Sequence, residues 1–381
     1  MITGCDDQQT TRKKLDGSSD NSVTTDNPVT ASSNKTNGAA DRFVGRNKCA
    51  ECHEEIFEAH SAAPHAHTFA LTKDSDVVKA FTKARVDAGA EFGEYEYVSD
   101  DEGLAVGMPE KFGGRLFPLD FALGSGEHAV TLLTLLPEEG ETIAIEHRMT
   151  WFRTGDQLRL TPGHNHDAPQ QQVEHFGKIF RGEDMHRCIS CHVTTGHIVG
   201  TRIHNLVGGV HCEKCHGPGA EHVAAAEADD LEKARGKIHS RWSAEGEVAM
   251  CGKCHRMPAD VTPDRLKAYP KSLVRFQPIG LLQSRCYLES DGALKCSTCH
   301  DPHKPVKSRT LNDHVTSCLS CHSGPDQSHC LKAETANCIQ CHMPRRELVS
   351  DIFFHDHWIR RSPQQDDTPP GTTSGHTSVR E

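Results

Sequence analysis

Apolar residues are scarce. They make up 35% of the 381 residues even with Tyr and Cys counted, and aromatics only 6%. An ordinary domain holds ~45–50% apolar residues, Gly included, so something other than aliphatic side chains is expected to fill the interior. There is no excess of basic residues either: 42 Lys and Arg stand against 53 Asp and Glu, for a net charge of −11. That balance argues against nucleic acid as a partner, because no basic stripe faces a phosphate backbone. No apolar run reaches the ~18 residues that a membrane-spanning helix needs. The first residues have neither the basic n-region nor the apolar h-region of a secretion signal.

Cysteine and histidine are the outliers, at 17 and 27. Fourteen of the cysteines fall in seven copies of C-x-x-C-H. These are Cys49/Cys52/His53, Cys188/Cys191/His192, Cys212/Cys215/His216, Cys251/Cys254/His255, Cys296/Cys299/His300, Cys318/Cys321/His322 and Cys338/Cys341/His342. Chance would supply roughly 0.05 such pentapeptides in a chain of this composition. Two thiols three positions apart can each form a thioether to a haem vinyl group, and the following imidazole then reaches the iron. Paired C-x-x-C units also build zinc sites, and a single one can be a redox dithiol. Zinc does not require a His after each second Cys, and seven units would leave one unpaired. Seven covalently attached c-type haems are therefore expected, with the seven motif histidines as proximal iron ligands.

Covalent haem attachment places the chain outside the cytoplasm, in a periplasm or its equivalent. Ile2-Thr3-Gly4-Cys5 is similar to the end of a bacterial lipoprotein signal, so Cys5 is a candidate lipidation site and the start of the gene product is expected upstream. The alternative is an incidental cysteine in a tail. Residues 1–41 are expected to be this N-terminus and a disordered tether, and residues 362–381 a disordered tail. Between them the reading places a first haem segment at 42–90, a β-rich insertion at 91–163 and a six-haem domain at 164–361. In the insertion, Val130–Leu136, a turn at Pro137–Glu141, Thr142–Ile145 and Met149–Phe152 form a hairpin or meander, which Leu158–Leu160 extends. A helix is expected from Ala220 to about Arg235, after the breaker Gly217-Pro218-Gly219. The fold class expected is mainly α with little regular structure, packed around haems, with one small antiparallel β element between the first and second haems.

Twenty histidines lie outside the motifs and methionines number seven, so a second histidine is the expected partner on most irons. Arg42-Phe-Val-Gly-Arg-Asn-Lys-Cys-Ala-Glu-Cys-His53 with Ala63-Pro64-His65-Ala66 resembles the opening of a cytochrome c-552/4 domain. That domain belongs with hydroxylamine oxidoreductase and its tetrahaem electron acceptor. Similar pieces are Gly124–His128, Gly209–His222, Val274–Gly280, Cys299–His303, Cys341–Pro344 and Asp356–Arg361. The resemblance implies His65, His128, His222, His303 and His357 as distal ligands. Cys286 and Cys330 resemble extra cysteines near the last haems of related chains, and a disulfide between them would add ~3–4 kcal/mol. Lys271, Arg275 and Arg285 surround the Val274–Gly280 segment, where they clamp propionates or bind an anion at an open iron.

The expected function is electron transfer through mostly bis-His haems to redox protein partners. The alternative is an oxidoreductase with one open haem acting on nitrite, hydroxylamine, sulfite or tetrathionate. No C-x-x-C-K variant marks a special haem, and none of the four tyrosines matches the haem-crosslinking one of hydroxylamine oxidoreductase.

Overall fold

In the computed structural model, the residues described are 42–82, 85–107, 114, 116–164, 167–169, 172–323, 337–349 and 352–360, all within the compact unit Asn37–Glu381. The tether, the tail, Cys5 and Cys330 lie outside the described residues. The first motif begins on α1 (Arg46–Ala50) and ends at His53, the residue before α2 (Glu54–Ser61). Next come β1 (Phe69–Leu71), α3 (Val78–Thr82), β2 (Arg85–Asp87), β3 (Glu94–Asp100), β4 (Gly103–Gly107) and β5 (Leu116–Leu119). They are followed by β6 (Phe121–Leu123), β7 (Ala129–Glu138), β8 (Glu141–His147), β9 (Met149–Phe152), β10 (Gln157–Leu160) and β11 (Gly177–Phe180). The second motif ends α4 (Gly182–His192), and β12 (Val193–Val199) and β13 (Arg202–Gly208) form a hairpin before the third, in α5 (Cys212–His216). Helices α6 (Ala220–Glu227), α7 (Leu231–Gly236), α8 (Ala244–His255), α9 (Pro263–Lys267), α10 (Gln277–Leu281) and α11 (Arg285–Leu288) come next. Motifs five to seven lie on α12 (Cys296–Cys299), α13 (Leu311–His322) and α14 (Cys338–His342), and β14 (Arg345–Val349) and β15 (Ile352–His355) close the described chain.

The strand β7 explains the apolar run at 130–136. It is central in a seven-stranded antiparallel sheet of order β1-β6-β7-β8-β11, with β9 also on β7 and β10 on β9. Leu132 packs into one core with Phe81, Tyr95, Tyr97 and Ile145, while Leu133 and Leu135 face Met185 and Ile189 of α4. A strand covered on both faces reads as continuous rather than alternating. Its hairpin to β8 turns through Glu139 (φ 47°) and Gly140 (φ 88°), the two positive-φ residues of a tight turn that suits the strand twist. A second, four-stranded sheet of order β2-β3-β4-β5 covers the first core from the other side.

The expectation of a mainly α fold with one small β element is overturned. Of the described residues about 39% are helical and 27% strand, in several antiparallel sheets. Two features hid the strands. In β3, buried Tyr95 and Tyr97 alternate with exposed Glu94 and Glu96, so the scarce tyrosines mark a strand. The hairpins β12–β13 and β14–β15 are rich in His, Arg and Gly and carry no alternation in hydrophobicity. Scarcity of apolar residues is therefore regional, with the aromatics gathered between the sheets and few left near motifs three to seven. The Ala220–Arg235 helix is also two helices, broken where Asp229 turns to φ 56° and Asp230 caps α7 by accepting from Lys233 N.

Candidate haem-binding site

Each motif puts its two thiols on or beside a helical turn, where residues three apart share a face. Four of the motif histidines then meet a histidine from outside the motifs. The ring centres of His53 and His222 are 6.3 Å apart, those of His65 and His255 6.3 Å, His216 and His303 6.1 Å, and His300 and His357 6.2 Å. Two metal–imidazole bonds of ~2 Å, plus ~1.1 Å from each nitrogen to its ring centre, set trans imidazole centres ~6.2 Å apart. All four pairs leave room for a metal ion between the rings, as do His300 and His314, whose ring centres are 6.0 Å apart.

Ring orientation is held from behind. Nδ1 of His222 donates to the Ala234 carbonyl (2.9 Å), His216 to His239 (2.6 Å) and His357 to His355 (2.9 Å). His192 donates to Thr68 (2.9 Å) and His342 to Arg360 (3.2 Å). A carbonyl only accepts, so Nδ1 carries the proton and Nε2 keeps its lone pair for a metal. The break between α6 and α7 matters here, because it folds Ala234 back onto His222. The Asp301 carboxylate accepts from the backbone N–H of His303 (3.0 Å), fixing the turn that aims this ring. Behind His357, buried Asp356 accepts from Tyr269 Oη (2.6 Å) and pairs with Arg360 (3.1 Å), while Ser284 Oγ donates to the His357 carbonyl (2.9 Å).

The surroundings fit a flat apolar group. Burial holds the pKa of His255 below the usual histidine value. Burial lowers His65 and His300 in the same way and brings His357 down to about 4. Leu311, Leu319 and Phe353 stay 39–50% exposed around the last two motifs. Among the described residues, no group of three or more His, Cys, Asp or Glu could hold a metal ion, which disfavours zinc clusters.

The motifs also touch one another. Cys49 lies close to Cys212, Cys191 to Cys254, Cys251 to Cys296, and Cys318 to Cys338. Cys215 is near Cys251 and Cys254, and Cys299 near Cys321. The contacts run from motif one through three, four, five and six to seven, with motif two joined at four. Buried carboxylates lock two of the joints. Glu213, inside motif three, accepts from the backbone N–H of Val44, Gly45 (2.9 Å each) and Gly219 (2.8 Å), and Glu247 of α8 accepts from Ser297 N (2.6 Å) inside motif five.

The thiols are not equally enclosed. Cys52, Cys321 and Cys341, the second thiols of motifs one, six and seven, are exposed, whereas the other motif thiols are half-buried. For Cys52 the reason is local: α1 ends at Ala50, so Cys52 sits in the turn beyond it, beside exposed Glu51 and His53. Its partner Cys49 lies one turn back and packs against motif three through Cys212. Cys52 is thus placed at the open edge of the site, with Cys49 at its packed edge.

Not every histidine singled out is placed as expected. His128 lies 5.4 Å from the Phe354 ring and opposite no motif histidine. Among the described residues, His192, His322 and His342 face no imidazole in a ring pair. Cys286 is a free thiol near Cys299 and Cys321, and its proposed partner Cys330 lies outside the described residues. His314 and His355 went unnoticed in the sequence. Both line a cavity of about 470 Å³ with Ile339 and Gln340 of motif seven, and His355 Nδ1 donates to the Met343 carbonyl (2.8 Å). His147 is structural: buried, with burial taking its pKa down to about 3, it bonds Tyr97 Oη (2.8 Å) and the Phe176 carbonyl (2.9 Å).

The crystal structure of the outer cell wall cytochrome OcwA superposes over 84% of this chain and 80% of its own, with a TM-score of 0.50 and 14% identity. The chain shares the fold of that structure over most of its length. An undecaheme cytochrome from the S-layer of Carboxydothermus ferrireducens aligns over 85% of this chain and 53% of its own, with a TM-score of 0.44 and 14% identity. No family model matches the chain, and no curated protein matches it significantly. No helix among the described residues is long and apolar enough to cross a membrane.

Proposed function

We propose that this chain is an extracytoplasmic seven-haem c-type cytochrome of the cytochrome c-552/4 type that passes electrons between redox proteins. The observation carrying it is the set of four imidazole pairs, each joining a C-x-x-C-H histidine to a distant one at 6.1–6.3 Å. The fourteen motif cysteines would hold the haems and the seven motif histidines their irons, with His65, His222, His303 and His357 as second ligands. When bound, each haem supplies a one-electron couple, and two imidazole ligands keep its potential lower than a methionine would. The chain's own part is to fix ring orientation through the Nδ1 bonds and to exclude water with side chains such as Leu319 and Phe353. Imidazoles on both sides of an iron favour electron carriage over substrate binding. The exposed thiols Cys52, Cys321 and Cys341 would bring haem edges to the surface at both ends of the motif series, where a redox partner can dock.

The distal ligands of motifs two, six and seven stay unassigned, and His314, 6.0 Å from His300, is a second candidate beside His357 at motif five. The extracytoplasmic placement rests on the chemistry of thioether attachment and agrees with the cell-wall origin of OcwA. A lipid on Cys5 would tether the domain, and a Cys286–Cys330 disulfide would brace the region of the last haems. The net charge of −11 favours a partner with a basic docking face and salt-sensitive association.

Haem per chain and the EPR spectrum of the oxidised holoprotein test this. Seven haems with an all low-spin spectrum are expected. Three or fewer haems would overturn the proposal, and a stoichiometric high-spin signal that shifts with nitrite, hydroxylamine or sulfite would replace the carrier by an enzyme.

A further inference from the structure

Two guanidinium groups sit together beside motif four without a carboxylate. Arg256 Cζ lies 4.9 Å from the centre of the Phe276 ring and Arg275 Cζ 4.7 Å. Arg256 directly follows His255 and adopts φ 57°, a left-handed conformation uncommon for a residue with a side chain. Gln277, two residues past Arg275, lies beside His255. Among the described residues neither arginine forms an ion pair, and the nearby carboxylate of Glu146 is engaged by His164 (3.1 Å). Arg275 retains accessible surface although burial, then Arg256 and Arg265, hold its pKa below the ordinary arginine value.

Like charges brought together in a desolvated place need an anion between them. Arginine is suited to carboxylates, which it grips with two parallel N–H bonds. We infer that Arg256 and Arg275, steadied on Phe276, clamp the propionate carboxylates of the haem attached through Cys251 and Cys254. The inference rests on the haem reading above and adds the residues that set one cofactor's potential. Two positive charges beside the propionates make an added electron less unfavourable, so the clamp raises that haem's midpoint potential. Motif four touches motifs two, three and five, so the clamp tunes the junction of the series.

The test is a potentiometric titration of the holoprotein, followed in the visible spectrum, for wild type, Arg275→Gln, Arg256→Gln, and Arg275→Lys as the charge-keeping control. Haem content is measured first, and failure to find haem sinks the functional reading rather than the clamp. With haem present, both Gln variants are expected to move one couple to lower potential, while Arg275→Lys stays near wild type. An unchanged titration in both Gln variants overturns the clamp. Inorganic phosphate is the second probe. A wild-type potential indifferent to phosphate supports propionate as the occupant. A phosphate-dependent potential that Arg275→Gln abolishes assigns the site to a free anion and overturns the proposal.

Discussion

His300 and His357 face one another with ring centres 6.2 Å apart and planes 29° from parallel, joining the fifth motif to the strand end that follows the seventh. Replacing His357 by Met keeps a ligand but changes its softness, and His/Met ligation raises the potential relative to His/His. His357→Met is expected to shift one couple upward in potentiometric titration. An unchanged titration curve would remove His357 from the coordination sphere.

The segment bearing His357 runs so close to α10 that a methyl group would not fit. A Cβ on Gly280 would lie 2.6 Å from Trp358 N and 2.8 Å from the His357 carbonyl carbon. Gly280→Ala is expected to cost ~1–3 kcal/mol through overpacking and to displace the His357 ring. Thermal unfolding should show the first effect and a new high-spin EPR signal the second.

Glu213 joins the segment before motif one to motif three through three backbone N–H groups. Truncation leaves those donors buried without an acceptor, at about 2–4 kcal/mol in total. Glu213→Ala should lower the guanidinium midpoint markedly, and Glu213→Gln, which keeps one acceptor oxygen, should lower it less.

His147 gives the sheets an acid limit. Its folded pKa of about 3 lies below the ordinary histidine value of ~6.5 because burial disfavours the cation. Between these values the unfolded chain binds a proton that the folded one refuses. The contribution of His147 to stability is therefore level above pH ~6.5 and falls by ~1.4 kcal/mol per unit as pH drops toward 3. Urea unfolding followed by Trp151 fluorescence should show this slope, and His147→Gln should flatten it.

Composition led to the expectation that the interior is mostly cofactor, and for the sheets it is not. The cores holding Phe81, Tyr95, Leu132, Leu133 and Met185 are built from side chains alone. A chain with all fourteen motif cysteines changed to Ala is expected to keep strand signal in far-UV circular dichroism while losing helix around motifs three to seven. Loss of both together would mean that haem supports the sheets as well.

The motifs were legible because their chemistry is local: five consecutive residues specify thiols and imidazole at the right spacing. The β7–β8 hairpin was legible for the same reason, through its apolar runs and Gly140. Partnership and exposure were not. Nothing near His65 says that it faces His255, since that contact is made by packing between distant segments. Nor does the pattern Cys49-Ala-Glu-Cys52 say that Cys49 packs against Cys212 while Cys52 stays at the surface. His222, His303 and His357 stood out through turns and local polarity, whereas His128 rested on resemblance and meets Phe354 instead. The strand β3 escaped because alternating Glu and Tyr looks polar until tyrosine is seen to point inward.

Motif four touches motifs two, three and five, and motif two also lies near Lys214 of motif three. Such a graph has a cut vertex. With haems bound as proposed, an iron silenced at His255 would cut the end bearing motifs one and three off from the end bearing motifs five to seven.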